Sequence, residues 1–159
     1  MLKPVKLLLL FVLSVTALTA WAQKPASGKP VTVQKFTPPK LTCVLGIHAD
    51  SATVFKEEAV QLVKLPLKIT DDKKNVYTIS SYRFKYTRRV VTENEETGKA
   101  LPAISEILDL FRTTPLPDLW RNTIAEQIKP GEELYFFDIV VTDAQGRYMF
   151  APTLRIKVK

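Results

Sequence analysis

The stretch from Lys129 to Lys159 reads KPGEELYFFDIVVTDAQGRYMFAPTLRIKVK. Lys129-Pro130-Gly131 is a turn, because proline fixes one backbone angle and glycine frees the next. Leu134 to Thr142 is dense in aromatic and β-branched residues, the side chains that suit a pleated surface. Leu134, Phe136 and Val140 share one face of that strand; Tyr135, Phe137, Ile139 and Val141 share the other. Apolar residues on both faces predict a central strand covered on both sides, by the partner sheet and a helix. Asp143-Ala144-Gln145-Gly146-Arg147 then turns the chain, with Gly146 supplying a permissive backbone. In the closing strand Leu154, Ile156 and Val158 point inward, and Arg155, Lys157 and Lys159 outward.

The same alternation recurs upstream. Val76 to Val91 is the longest strand: Tyr82, Phe84 and Tyr86 lie on one face, with Arg83, Lys85 and Arg89 on the other. Leu62 to Thr70 alternates through Val63, Leu65, Leu67 and Ile69, although Pro66 suggests an edge or a bulge. Leu41 to Ala49 is a further strand, and Ala52 to Val60 fits no single period. Polar turns stand at 71–75 and 93–98. Between Leu101 and Arg112 the period changes. Leu101, Ile104, Ile107, Leu108 and Phe111 recur at helical spacing. Pro117 can then open a second helix that carries Leu119, Trp120, Ile124 and Ile128 inward. The predicted fold is mainly β: an antiparallel Ig-like β-sandwich with one or two short helices inserted before the last hairpin.

The amino terminus has a different character. Met1 to Lys6 is basic, Leu7 to Leu18 is apolar, and Ala20-Trp21-Ala22 is a small-x-small site. That is the pattern of a secretory signal peptide over 1–22. An uncleaved inner-membrane anchor is the alternative, for which the apolar run is short, since a span needs about 20 residues. Residues 23–40 carry Pro25, Pro30, Pro38 and Pro39 and read as an extended Pro-rich linker. The sandwich domain follows over 41–159. The whole chain carries a net +7; without the two leader lysines it is +5, which favours acidic partners or an anionic surface. The expected location is the periplasm, and an export signal disfavours nucleic acid as a partner.

Residues that could carry chemistry are few. Cys43 is the one cysteine, so no intrachain disulfide can form. It is expected as a small buried side chain, with an intermolecular disulfide as the alternative. His48 is the one histidine. Counted along one strand, it faces away from Cys43, against a nucleophile pair. Asp138 sits inside an apolar run and is expected to hydrogen-bond a neighbouring loop. The pairs Glu57-Glu58, Glu95-Glu96 and Glu132-Glu133 read as solvated caps. No Cys-x-x-Cys, His-Glu-x-x-His, phosphate loop or nucleophile-elbow motif occurs. The expectation is therefore no catalytic residue, no cofactor and no metal. The distinctive set is basic: Arg83, Lys85, Arg89, Arg155 and Lys157. If their strands are neighbours, these form a stripe, which reads either as a solvated sheet face that discourages edge aggregation or as a docking surface for an acidic partner protein or an anionic envelope surface.

Several pieces together resemble the last domain of the gliding-motility and type IX secretion protein GldM. They are the strand from Val76 to Phe84, the Lys-Pro-Gly turn at 129–131, the aromatic strand Leu134 to Val140, the Asp-x-x-Gly-Arg turn at 143–147 and the terminal Ile-x-Val strand. The resemblance spans about residues 60 to 159. It implies a periplasmic β-sandwich that makes protein contacts, is not an enzyme, and is associated with the type IX secretion and gliding machinery. GldM itself has a membrane helix and several periplasmic domains in series, where this chain is expected to have one domain behind a leader. A second reading is a small periplasmic ligand-binding protein with a pocket between the helices and the sheet near Trp120.

Overall fold

Period-2 alternation dominates the chain, and the molecule is accordingly mainly β. The computed structural model describes residues 36–159. The expected leader and most of the expected linker lie outside the described residues. Residues 36–40 have no regular structure, and the first strand begins at Leu41.

The strands are β1 (Leu41–Leu45), β2 (His48–Ala49), β3 (Ser51–Val54), β4 (Leu67–Asp71), β5 (Val76–Glu93), β6 (Ala100–Phe111), β7 (Glu133–Thr142), β8 (Tyr148–Ala151) and β9 (Leu154–Val158). Two short helices, α1 (Lys56–Leu62) and α2 (Asp118–Gln127), interrupt them. One hydrogen-bonded path runs β2-β1-β4-β5-β7-β9-β3; β6 also pairs with β5, and β8 with β7. The two ends of that path, β2 and β3, lie against each other and are separated in sequence by Asp50 alone. The sheet is therefore nearly closed on itself. It is also mixed rather than antiparallel throughout, because β3 runs parallel to β9. That pair arises because α1, the strands β4–β8 and α2 intervene between β3 and β9, a connection long enough to bring the chain back in the same direction.

The core is built where alternation predicts it. Tyr82, Phe84 and Tyr86 of β5, Leu134 and Phe136 of β7, and Leu154, Ile156 and Val158 of β9 are all buried. Phe84 sits at the centre, its ring 4.8 Å from Phe136 and 5.7 Å, edge-on, from Trp120. Such ring pairs add about 0.5–1.5 kcal/mol each beyond the area they bury. Cys43, Leu45 and Ile69 close the core from β1 and β4, and Ala59, Leu62, Ile124 and Ile128 close it from the helices.

Four expectations change. The segment 101–112 is not a helix. It is β6, paired residue for residue with β5 from Tyr82–Phe111 to Glu93–Ala100. Its apolar spacing also fits a helix, but the hairpin turn at Asn94–Lys99 delivers it alongside an 18-residue strand with a free edge. Twelve cross-strand positions then outweigh a weak local preference. Of the expected helices only α2 stands before the last hairpin; α1 comes early, in the segment that fitted no single period, and Val63 belongs to its end rather than to a strand. Leu119 points outward from α2, 76% exposed, while Trp120 and Ile124 turn in.

The remaining change concerns β7. Its burial changes phase at Asp138: Leu134 and Phe136 face the core, then Ile139 and Val141 do. Asp138 has φ +47°. The β5–β7 register shifts by one residue near Ser81 and shifts back before Arg83. Two opposed bulges thus rotate both strands together. Neither described helix covers the outer face of β7, contrary to the two-sided expectation. Tyr135 and Phe137 stack on each other there, 5.0 Å apart.

Candidate docking surface

The five basic residues share one face of the sheet, but they do not form one stripe. Arg83, Lys85 and Arg89 lie on β5, Arg155 and Lys157 on β9, and β7 runs between those two strands. In register, Lys85 is opposite Tyr135, and Tyr135 is opposite Arg155. The Arg155 guanidinium lies 4.7 Å from the centre of the Tyr135 ring, a cation–π distance. Acidic residues neutralise much of the set. Lys85 reaches Glu106 of β6 at 2.9 Å, Arg155 reaches Glu133 at 3.3 Å, and Arg83 reaches Asp138 at 3.7 Å. Asp138 is exposed and pairs with Arg83 on the neighbouring strand, not with a loop. Exposed pairs of this kind contribute about 0–1 kcal/mol. Arg155 and Lys157 also flank a shallow cleft with Ser51 and Thr53 of β3. The face is a mosaic of paired charges around an aromatic centre. The sequence reading missed Tyr135 and Phe137 as surface residues because it assigned them a covering helix.

Beside that face stands a surface rich in exposed apolar side chains. The β5–β6 ribbon carries exposed apolar side chains along its length. On its outer face Ile104 is 72% exposed, and Leu108 and Leu110 are 51% exposed, across from Arg89, Lys85 and Arg83. Val91 and Leu101 near the tip are exposed too. On the opposite face of the same ribbon, α2 roofs an open apolar cleft of about 270 Å³ lined by Tyr86, Ile107, Leu119, Trp120, Thr123 and Ile124. The sequence placed a pocket between the helices and the sheet near Trp120; this cleft lies there, between one helix, α2, and strands β5 and β6.

At the base of the ribbon, one acid that looked like a solvated cap is buried. Glu132 is 3% exposed. It accepts a short hydrogen bond from the Tyr86 hydroxyl, one from the Lys129 backbone N–H at 3.0 Å and one from the Arg89 backbone N–H at 3.2 Å. The Lys-Pro-Gly turn bends Glu132 under β5: Gly131, at φ +86°, donates its N–H to the Val158 carbonyl at 2.7 Å. Burial, then the bond to Glu132, push the Tyr86 hydroxyl well above its ordinary value. This buried polar cluster ties β5, β7 and β9 together.

His48 and Cys43 occupy different strands of a tight hairpin, with the turn at Gly46–Ile47 between them, so a count along one strand does not relate them. The His48 ring bonds Glu58 of α1 at 2.7 Å. Cys43 lies fully inside the core, and burial pushes its thiol up to about 12. The Asp143 carboxylate organises the last turn, accepting from the backbone N–H groups of Gln145 and Arg147, both at 2.9 Å, and from Arg147 Nε at 2.7 Å. Among the described residues, no group of three or more His, Cys, Asp or Glu could hold a metal ion. No described helix is long and apolar enough to cross a membrane.

No protein-family model matches the chain, and no curated protein matches it either.

Proposed function

We propose that this chain is an exported, non-catalytic module that docks on envelope proteins in the periplasm. The observation that carries the reading is the β5–β6 ribbon, which holds Ile104, Leu108 and Leu110 in solvent beside Arg83, Lys85 and Arg89. Apolar side chains gathered on one surface and rimmed by charge are the ordinary makings of a protein interface. The leader-like residues 1–22 support the location. The resemblance of the C-terminal strands to GldM supports a place beside the type IX secretion and gliding machinery, and an Ig-like sandwich is the fold it implies. The basic set adds electrostatic steering toward an acidic partner, reduced by its own ion pairs.

The test is photocrosslinking in cells from positions 104 and 108, paired with deletion of the gene. The expected result is one envelope protein crosslinked from both positions, with secretion or gliding impaired in the deletion strain. Absence of any crosslink together with normal secretion and gliding overturns the reading. The competing ligand-binding reading draws on the cleft beside Trp120. A fluorescence response of Trp120 to small apolar molecules, but to no protein, would favour it.

A further inference from the structure

We propose that the open edge of β6 is completed by an extended segment of a partner protein, which seats an apolar side chain in the cleft beside Trp120 and sets a basic side chain next to Glu106. The proposal rests on the docking reading above and specifies its occupant.

The backbone supplies the first argument. β6 pairs with β5 alone, so half of its N–H and C=O groups face away from any strand among the described residues. Proteins usually guard such edges with lysine, proline, bulges or brevity. The other free edges here are shorter or guarded: β2 has two residues, β3 and β8 have four each, and the six residues of β5 beyond its pairing with β7, Arg88 to Glu93, begin with two arginines. β6 has twelve, contains neither Lys nor Arg, and pairs with β5 without a register shift. Its two ends are closed. Pro102 has no N–H to offer, and the Asp109 carboxylate takes the Leu110 N–H at 2.7 Å. What stays open is Ala103 to Leu108, about the length of one ordinary strand.

The side chains supply the second argument. Strand addition gains affinity from the backbone ladder and specificity from pockets for alternate residues. Ile107 lines the Trp120 cleft, and a partner residue opposite it enters the same space beside Leu119 and Thr123. The partner's neighbouring residues fall on the other face, along Ile104, Glu106 and Leu108. The only charges on β6 are Glu106 and Asp109. Glu106 pairs with Lys85, and its side chain is still about half exposed. A second copy's β6 would bring acids toward acids, which is unfavourable across strands. A segment alternating apolar and basic residues matches instead.

The experiment uses the full chain with Trp21→Phe, which leaves Trp120 as its one indole. The probe is a synthetic octapeptide of alternating valine and lysine with leucine at its centre. The control is the same peptide N-methylated at alternate amides, which cannot form the ladder. The expected result is a change in Trp120 emission with slowed hydrogen exchange at Ile104, Glu106 and Leu108, produced by the first peptide and not by the second. Glu106→Gln should weaken binding about two- to fivefold. Leu119→Ser, at an exposed position that leaves folding intact, should weaken it further and reduce the emission change. Equal binding by both peptides, or binding by neither, overturns the proposal. So does concentration-dependent protection of the same amides without peptide, which would make a second copy the occupant. Should the protein crosslinked from positions 104 and 108 bind equally well to the Glu106→Lys and Leu119→Ser chains, the edge proposal falls while the docking reading stands.

Discussion

Replacing Tyr86 by Phe removes one oxygen and almost no volume, so the change isolates the bond to Glu132. That carboxylate is 3% exposed and accepts from three donors: the Tyr86 hydroxyl and the N–H groups of Lys129 and Arg89. Without the hydroxyl, Oε2 keeps only the Lys129 N–H. Hydrogen bonds to charged groups contribute about 1.5–3 kcal/mol, against about 0.5–1.5 kcal/mol for neutral ones. Tyr82 provides the internal control. It is equally buried, and its hydroxyl donates to a neutral acceptor, the Thr113 carbonyl, at 3.1 Å. We therefore expect Tyr86→Phe to cost about 2 kcal/mol and Tyr82→Phe about 1 kcal/mol. Urea unfolding followed by circular dichroism measures both, with an unchanged m-value as the check that the end states are the same. A double-mutant cycle with Glu132→Gln should return a coupling of about 1 kcal/mol or more. If Tyr86→Phe costs no more than Tyr82→Phe and the coupling is near zero, the buried cluster does not hold the strands as described.

Other outcomes follow from the same geometry. Phe84→Ala should cost about 3–5 kcal/mol, since the ring meets Phe136, Phe111 and Trp120 in the core, whereas Phe150→Ala, at an exposed position, should stay within about 0.5 kcal/mol by the same unfolding assay. Alkali should destabilise the fold from about pH 9 upward, as pH-dependent melting would show. Burial holds the Cys43 thiol and the Tyr82 hydroxyl up at about 12, and Tyr86 is raised as well, so the unfolded chain loses these protons first and gains relative stability as pH rises. Cys43→Ala should move that onset toward pH 10, where tyrosines ordinarily titrate, and native Cys43 should resist a thiol reagent until the chain unfolds. Gly46→Ala should cost more than Gly146→Ala. Both have positive φ, but a Cβ at Gly46 would come within 2.7 Å of the buried Leu62 side chain, while Gly146 has nothing within 4 Å; differential scanning calorimetry ranks them.

Particular residues separate what was legible in the chain from what was not. The burial of Tyr82, Phe84 and Tyr86, and of Leu154, Ile156 and Val158, follows from period-2 alternation, and the turn at 143–147 was marked by the permissive Gly146, to which the structure adds the Asp143 carboxylate that caps the loop. The helix opening after Pro117 was also visible. The candidate surface was only half visible. The basic residues do share a face, but their separation by β7 depends on strand order, which no local pattern contains. The β6 segment was misread because Leu101, Ile104, Leu108 and Phe111 satisfy a helical spacing and a ribbon alike. Glu132 was misread because an acid after a turn is usually wet, and only the fold of β5 over that turn makes it dry.

The amino-acid sequence alone determined the β-rich character, the inward faces of β5 and β9, and the positions of the tight turns, because side-chain period, glycine freedom and short-range carboxylate capping act within a few residues. Tertiary structure alone decided the near closure of the sheet, the parallel β3–β9 pair, the paired bulges at Ser81 and Asp138, and the free edge of β6. Those features depend on which strand lies beside which, and that choice is set by long-range hydrogen bonding and core packing between segments as far apart as Ser51 and Arg155.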